Sequence, residues 1–401
     1  MQQKRVSLFG YGGTTRSLTK LFPSAVFYDD KCNKPFKDED GFQIRPALEF
    51  DENYSDLEIP SPGIPPFNQL IKKAKNIQSE YDIFSDTKAL KIWISGTNGK
   101  TTTTQMMQHL LESKNSVAGG NIGTPLADLD TDAKIWILET SSFTMHYTNK
   151  ATPNIYVLLP IKPDHLSWHG SLEEYEKSKL KPIKEMKEGE VAIIPKKYKD
   201  VKTAAHIISY ENGNDLAKYF DIDAKKVKFE GAFLVDALLA MAVDKILFDR
   251  VDYEKINSFE LDPHRQEELR DSKNRLWVND TKATNIDATV AALDRYKDSF
   301  VHLILGGDDK GVELNELFVA LKNYNVKIYN IGSNKDKLSK LAEEYGIDFV
   351  KCKNLLDAVD KINADLTQTQ IALLSPAAAS LDEYNSYAHR GNEFKEAVGK
   401  L

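Results

Sequence analysis

Apolar residues in this chain come in short, nearly unbroken runs separated by longer stretches with helical spacing. Runs at 6–9, 25–28, 92–95, 135–139, 155–159, 276–278, 302–305, 326–331 and 371–374 are rich in Val, Ile, Leu and aromatic residues. They lack the alternation of a half-exposed strand, so they predict strands buried on both faces of a parallel sheet. Between them lie helix-like stretches, among them 17–22, a segment from Lys100 to near Ser113, and an amphipathic segment starting near Ser171. Strands alternating with helices build doubly wound α/β sheets. The pattern divides into three blocks, 1–87, 88–261 and 262–401, and 401 residues exceed what one core usually supports.

Composition narrows the class. Hydrophobic residues make up 41% and charged residues 28%, as in ordinary globular proteins. A net charge of −7 argues against nucleic acid as the main partner, which wants a basic face. The longest apolar stretch, 232–243, is interrupted by Asp236 and is too short to span a bilayer, so no membrane insertion is expected. The start of the chain carries no signal-peptide core, and Cys32 and Cys352 stand far apart without metal-ligand spacing. Both features suit a cytoplasmic protein.

The chemistry is concentrated where strands end. The run 92–95 leads directly into Gly96-Thr97-Asn98-Gly99-Lys100-Thr101-Thr102 and a helical stretch. Such a loop turns backbone N–H groups and a helix N-terminus toward an anion, Lys100 can reach β- and γ-oxygens, and the Thr101 hydroxyl can bind Mg²⁺. Two residues separate the glycines instead of the usual four, which makes this a shortened phosphate loop for a nucleoside triphosphate. Gly10-Tyr11-Gly12-Gly13-Thr14 after the first strand is an incomplete dinucleotide fingerprint, compatible with a nucleotide turn or a plain strand-to-helix turn. Glu139, ending the run 135–139, can hold a metal or simply face solvent. His165 reads as a packed or surface histidine as readily as a ligand. Lys179, by spacing alone, is a solvated helix lysine.

The phosphate-loop string resembles the ATP loop of the Mur ligases and the related folylpolyglutamate synthetases. Further matching strings follow in that family's order: Gly119-Gly120-Asn121-Ile122-Gly123, Glu139-Thr140-Ser141-Ser142-Phe143, Asp164-His165, Pro263-His264-Arg265, and Asn279-Asp280-Thr281-Lys282-Ala283-Thr284-Asn285. Ser61-Pro62-Gly63-Ile64, Leu305-Gly306-Gly307-Asp308, the segment 374–382 and Arg390-Gly391-Asn392-Glu393-Phe394 complete the set across the whole chain. The resemblance implies two Rossmann-like domains flanking a central P-loop ATPase-like sheet. It also implies a ligase that joins D-glutamate to UDP-N-acetylmuramoyl-L-alanine through an acyl phosphate in peptidoglycan precursor synthesis, acting as a monomer. ATP and two Mg²⁺ ions would be required. Lys100, Thr101 and Glu139 would hold phosphates and the first ion. His165 and Lys179 would serve the second, with Lys179 matching the family's lysine that carries a CO₂-derived carbamate. Asn121, Ser141 and His165 match positions that orient the muramoyl substrate. Gly13, Thr14, Asp30, Lys31 and Ser61 fall where the family holds UDP. Arg265, Asn279, Asp280 and Lys282 align with groups around the nucleotide. Thr284, Lys310, Ser380 and Tyr387, with Lys282 nearby, align with the amino-acid pocket.

Some positions depart from that pattern. The stretch 231–237 lacks the family's usual His-Asn pair and further Asn, Asp309 stands where Gly is usual, Ala378 where Cys is common, and Lys31 where Arg is frequent. Two other readings remain at this point: a superfamily ligase for a different amino acid or a folate, and a non-catalytic nucleotide switch, for which a second metal site would have no use.

Overall fold

The computed structural model describes residues 4–309 and 311–401. Lys310 lies outside the described residues. Three sheets follow one another along the chain. The first contains β1 (Val6–Phe9), β2 (Val26–Asp29), β3 (Phe36–Lys37), β4 (Gln43–Pro46) and β5 (Leu57–Pro60), in the order β3-β4-β2-β1-β5. The second contains β6 (Leu90–Ser95), β7 (Ser116–Gly120), β8 (Ile135–Glu139), β9 (Ile155–Leu158), β10 (Val191–Pro195) and β11 (His206–Tyr210), ordered β11-β10-β9-β6-β8-β7. The third contains β12 (Glu267–Arg270), β13 (Leu276–Asn279), β14 (Val301–Gly306), β15 (Val326–Ile331), β16 (Phe349–Lys351) and β17 (Ile371–Leu374), ordered β12-β13-β17-β14-β15-β16. The first two sheets belong to one compact unit, 1–229 with 233–259, and the third to another, 260–401 with 230–232.

Why these residues form buried parallel strands is visible in β8, where all of Ile135-Trp136-Ile137-Leu138-Glu139 is buried. Such a strand is covered on both faces and cannot alternate. The third sheet carries a separate apolar cluster on each face, one around Leu303, Leu305 and Phe318, the other around Trp277, Ile304 and Phe394. Two details differ from the expectation of uniformly parallel sheets and a helix at 17–22. The edge strands β3 and β12 pair antiparallel with β4 and β13. The first helix runs Gly13–Ser17 and tightens into a 3₁₀ turn, Leu18–Lys20, where the Leu21 N–H donates to the Leu18 carbonyl at 3.0 Å. A sequence-period reading places its apolar face but not its start on a glycine turn.

In each sheet the strand order reverses at an internal strand, and open α/β sheets bind ligands at the carboxyl ends beside that reversal. In the first sheet β1 lies between β2 and β5; in the second, β6 lies between β8 and β9. The loops that follow these strands are therefore neighbours in space although distant in sequence.

A buried carboxyl supports the loop that follows β7. Glu80 accepts from the Leu126 N–H at 2.7 Å, and burial pushes its pKa from 4.5 up to about 7. Between those values the folded chain holds a proton that the unfolded chain has lost, so this group's contribution to stability is full below the unfolded pKa and is lost as pH rises toward 7. Glu80→Gln should flatten this dependence, removing a loss of about 2–3 kcal/mol between roughly pH 5 and pH 8. Urea unfolding of both proteins across that range measures it. Parallel pH profiles would contradict the assignment.

Candidate active site

The phosphate loop is built by two glycines in conformations closed to other residues. Gly96 has φ +141° and Gly99, which starts the helix Lys100–Leu111, has φ +85°. A Cβ at Gly96 would lie 2.5 Å from the Leu159 Cβ, and one at Gly99 would lie 2.5 Å from Asp236 Oδ1 and 2.8 Å from Leu159 Cδ2. The loop thus packs its backbone against β9's end and a buried aspartate, which frees its N–H edge for a ligand. Lys100 Nζ donates to the Gly96 and Thr97 carbonyls at 3.0 and 2.8 Å, lying over the loop it would share with phosphates. Gly99→Ala combines left-handed strain with the Asp236 clash. It should weaken ATP binding by at least ~10-fold and lower thermal stability modestly. Calorimetric titration with ATP, together with a melting curve, reads both; unaltered affinity would rule out the loop's role.

Around this loop the strand ends supply polar side chains. Glu139 ends β8 and is 3% exposed; its Oε1 accepts from Asn121 Nδ2 at 2.7 Å. Its Oε2 is buried and has no donor among the described residues. A buried carboxylate oxygen left this way is costly unless a cation or donor completes it. Glu139 therefore fits a metal ion. Lys179 is 1% exposed and reaches back from the helix Leu172–Glu185 to donate to the Gly96 carbonyl at 2.8 Å and the Ser95 hydroxyl at 3.3 Å. Neither partner is anionic. Burial, helped by nearby Lys100, holds its pKa well below the ordinary lysine value. A neutral amine is what reaction with CO₂ requires, so Lys179 fits the carbamate as well.

Tyr175 draws these parts together. Its hydroxyl shares a hydrogen bond with Thr97 Oγ1 at 3.0 Å, Lys179 Nζ lies 4.8 Å from its ring centroid, and the rings of His165 and His169 lie at 6.3 and 5.3 Å. His165 has φ +54° and begins the helix Leu166–His169, with Nε2 3.4 Å from Asp164 Oδ2 and its ring 4.7 Å from Phe143. Ser141 caps the helix Ser142–Tyr147, its hydroxyl accepting from the Thr144 N–H. Among the described residues no three His, Cys, Asp or Glu side chains gather into a ready metal site.

In the first sheet, Gly13 and Thr14 open the helix after β1, Asp30 and Lys31 follow β2, and Ser61 follows β5. Asp29 organises this edge, accepting from the Tyr11 and Lys31 N–H groups at 2.7 Å each. Asp30 accepts from Asn68 Nδ2 at 2.7 Å and borders a cleft of about 540 Å³ lined also by Leu48, Phe67 and Lys73. The third sheet gathers the ends of β13, β17 and β14. Asp280 is buried, accepts from the Ser375 hydroxyl at 2.8 Å and has its pKa pushed up to about 7 by burial. Asn279 is fully buried, its amide donating to the Gly391 carbonyl at 3.3 Å and lying 2.9 Å from His264 Nδ1. Lys282 Nζ lies 5.2 Å from the ring centroid of Tyr387, and Ser380 is 2% exposed. Thr284 sits one residue before the Asn285 cap of the next helix, and Arg265 Nε is buried without a partner among the described residues.

Sequence reasoning assigned no role to Arg390. Its guanidinium, 1% exposed, donates to the Thr281 hydroxyl and carbonyl at 2.8 and 3.0 Å and to the Ala378 carbonyl at 3.1 Å. It thereby ties two of the strand-end strings together. Asp236 was also missed, although a lone acid inside the apolar run 232–243 marks a buried polar contact: it accepts from Thr103 Oγ1 at 3.0 Å.

Comparison with known proteins bears on all three sheets. A family model for the Mur ligase middle domain matches residues 94–238. A UDP-N-acetylmuramoylalanine–D-glutamate ligase of Campylobacter jejuni is 54% identical over 401 residues, covering 99% of this chain and all of that one. Its counterpart in Helicobacter pylori is 44% identical over 421 residues with the same coverage. Among solved structures, the MurF ligase of Thermotoga maritima in complex with ADP aligns with a TM-score of 0.63 at 16% identity, covering 99% of this chain and 97% of that one. Folylpolyglutamate synthase of Mycobacterium tuberculosis with ADP and AMPPCP aligns at 0.56 and 15% identity, covering 79% and 93%.

Proposed function

The chain belongs to the Mur ligase family, and from that premise we infer that it adds D-glutamate to UDP-N-acetylmuramoyl-L-alanine with ATP, in peptidoglycan precursor synthesis. Identity of 54% along the full length of a ligase so named is the observation that carries this reading. The phosphate loop and the half-satisfied Glu139 at the β6 and β8 ends support it chemically.

The loop N–H groups of 96–100 and Lys100 hold the β- and γ-phosphates, and their positive edge offsets charge as an anion approaches an anion. A carboxylate oxygen of the lactoyl-L-alanine end attacks Pγ, the bond to the ADP oxygen breaks, and an acyl phosphate forms. The D-glutamate amine then attacks the acyl carbon, phosphate leaves with that carboxylate oxygen, and the amine loses a proton. Thr101 and Glu139 would hold one Mg²⁺, with His165 and Lys179, as its carbamate, serving a second; the ions supply charge neutralisation at the phosphates. Carbamate formation joins the Lys179 amine to CO₂ with loss of one proton. Asn121 fixes the Glu139 carboxylate, while Ser141 shapes the turn behind it.

We assign UDP to Gly13, Thr14, Asp30, Lys31 and Ser61. We assign the nucleotide's remaining contacts to Arg265 and Asp280, with Asn279 and Lys282 beside them, and D-glutamate to Thr284, Lys310, Ser380 and Tyr387. Domain bounds of 1–87, 88–261 and 262–401 and a monomeric state complete the proposal. We place the protein in the cytoplasm, where this reading puts its ATP and UDP-linked substrate; separately, no described helix is long and apolar enough to cross a membrane. A panel of D-glutamate, L-glutamate, L-alanine, L-lysine and dihydropteroate with glutamate, read by phosphate release, tests the specificity. Turnover with D-glutamate and the UDP-sugar peptide alone is expected; preference for another pair would overturn it.

A further inference from the structure

The turn that follows β5 is held from outside its own sheet. Its Ile64 N–H closes on the Ser61 carbonyl at 3.0 Å, and the Ser61 N–H donates to the Phe9 carbonyl at 2.8 Å. Two carbonyls on its far side accept from aromatic side chains of the second sheet's layer. Tyr147 Oη donates to the Ile64 carbonyl at 2.6 Å, and Trp168 Nε1 donates to the Gly63 carbonyl at 3.2 Å. Both donors are buried, at 4% and 8% exposure.

These two residues stand on a firm base. Trp168 stacks on Phe143, centroids 4.5 Å apart at 27°, and meets Tyr147 edge-on at 5.9 Å. Phe143 also contacts His165, three residues before Trp168 on the same short helix. Directly beyond Tyr147 the chain is clamped: the Asp82 carboxylate accepts from the N–H groups of Asn149, Lys150 and Ala151, and Ser79 Oγ lies 2.8 Å from Thr148 Oγ1. The aromatic block that carries His165 is therefore bonded to the turn that carries Ser61.

We propose that Tyr147 and Trp168 are positioning residues that set the span between the UDP-binding turn and the phosphoryl-transfer site. The inference rests on the assignment of the Ser61 turn to the UDP substrate. A substrate anchored at its uridine diphosphate end must deliver a carboxylate at the other end to Pγ. Any error in the distance between the two anchors passes undiminished into the reacting distance. A misplacement of about 1 Å costs on the order of 100-fold in rate. Two single hydrogen bonds to adjacent carbonyls hold the turn against both translation and rocking, which one bond could not.

Tyr147→Phe removes one oxygen and Trp168→Phe keeps a ring against Phe143, so the aromatic block can still form. The test compares native protein, both single variants and the double variant. It measures the affinity for UDP alone, KM for ATP, kcat with the complete UDP-sugar peptide, and the melting temperature. The proposal expects UDP affinity and KM for ATP to stay within about two-fold while kcat falls ~5-fold in each single variant and at least ~30-fold in the double one. Unchanged kcat in the double variant would overturn it. So would a fall in UDP affinity that matches the loss of kcat/KM, which would make the bonds local supports of the turn, or a lowered melting temperature with all losses traced to inactive protein. A native protein that binds UDP but does not consume D-glutamate would instead overturn the functional reading, and the inference with it.

Discussion

Lys100→Ala lowers ligase turnover by ~10³-fold or more while the protein keeps its fold. Phosphoryl transfer asks the protein for position and charge rather than covalent chemistry, and the phosphate loop carries one cationic side chain, Lys100. Its Nζ now lies on the Gly96 and Thr97 carbonyls, within reach of any anion seated over the same loop. The side chain is only partly buried and donates to carbonyls of its own loop, so circular dichroism and melting temperature should change little. Lys100→Arg should remain severely impaired, since a planar fork cannot follow the compact path of an ammonium through this turn. An alanine variant with near-native turnover would remove the ATP site from the loop.

Lys179→Ala gives the second large loss, of similar size, and regains activity in part when short carboxylic acids such as formate or acetate are added. A carboxylate diffusing into the vacated volume replaces the one carried on the lysine. A second consequence is thermodynamic. Burial holds the folded pKa of the uncarbamylated Lys179 well below its ordinary value, so in the interval between the two the unfolded chain binds a proton that the folded chain gives up. That difference opposes folding below the unfolded pKa and fades as pH rises toward it. Lys179→Met should accordingly be inactive yet more stable than native protein kept free of CO₂, by an amount that shrinks as pH rises toward the unfolded pKa, an exchange of stability for function. A methionine variant less stable than native at every pH, or an alanine variant with full activity, would contradict the assignment.

The strands were legible because parallel strands covered on both faces need continuous apolar runs, and β15 and β17 match the runs at 326–331 and 371–374 residue for residue. Their edges were not: pairing direction at β3 and β12 depends on where the neighbouring strand happens to end, which no local pattern encodes. The phosphate loop was readable for a physical reason, since glycines at positive φ between strand and helix have few other uses. Lys179 was not readable in this way. Helical spacing allowed it to be solvated, and only the family resemblance singled it out; its 1% exposure comes from Tyr175, one turn earlier on its own helix, and from the end of β6, which is distant in sequence. Arg390 shows the same limit. An arginine near a chain end reads as a surface charge, and its burial among the carbonyls of Thr281, Gly306 and Ala378 is a property of three segments converging.

The central claim is that the carboxylate of the UDP-sugar peptide is activated by phosphorylation and then captured by D-glutamate. The most direct measurement uses substrate labelled with ¹⁸O in that carboxylate and follows the released phosphate and the amide product by mass spectrometry. One labelled oxygen should appear in phosphate for each amide bond formed, with ADP released in equal amount and no reaction when D-glutamate is omitted from a single turnover beyond the acyl phosphate. Unlabelled phosphate, or ATP consumed without amide formation, would contradict the account.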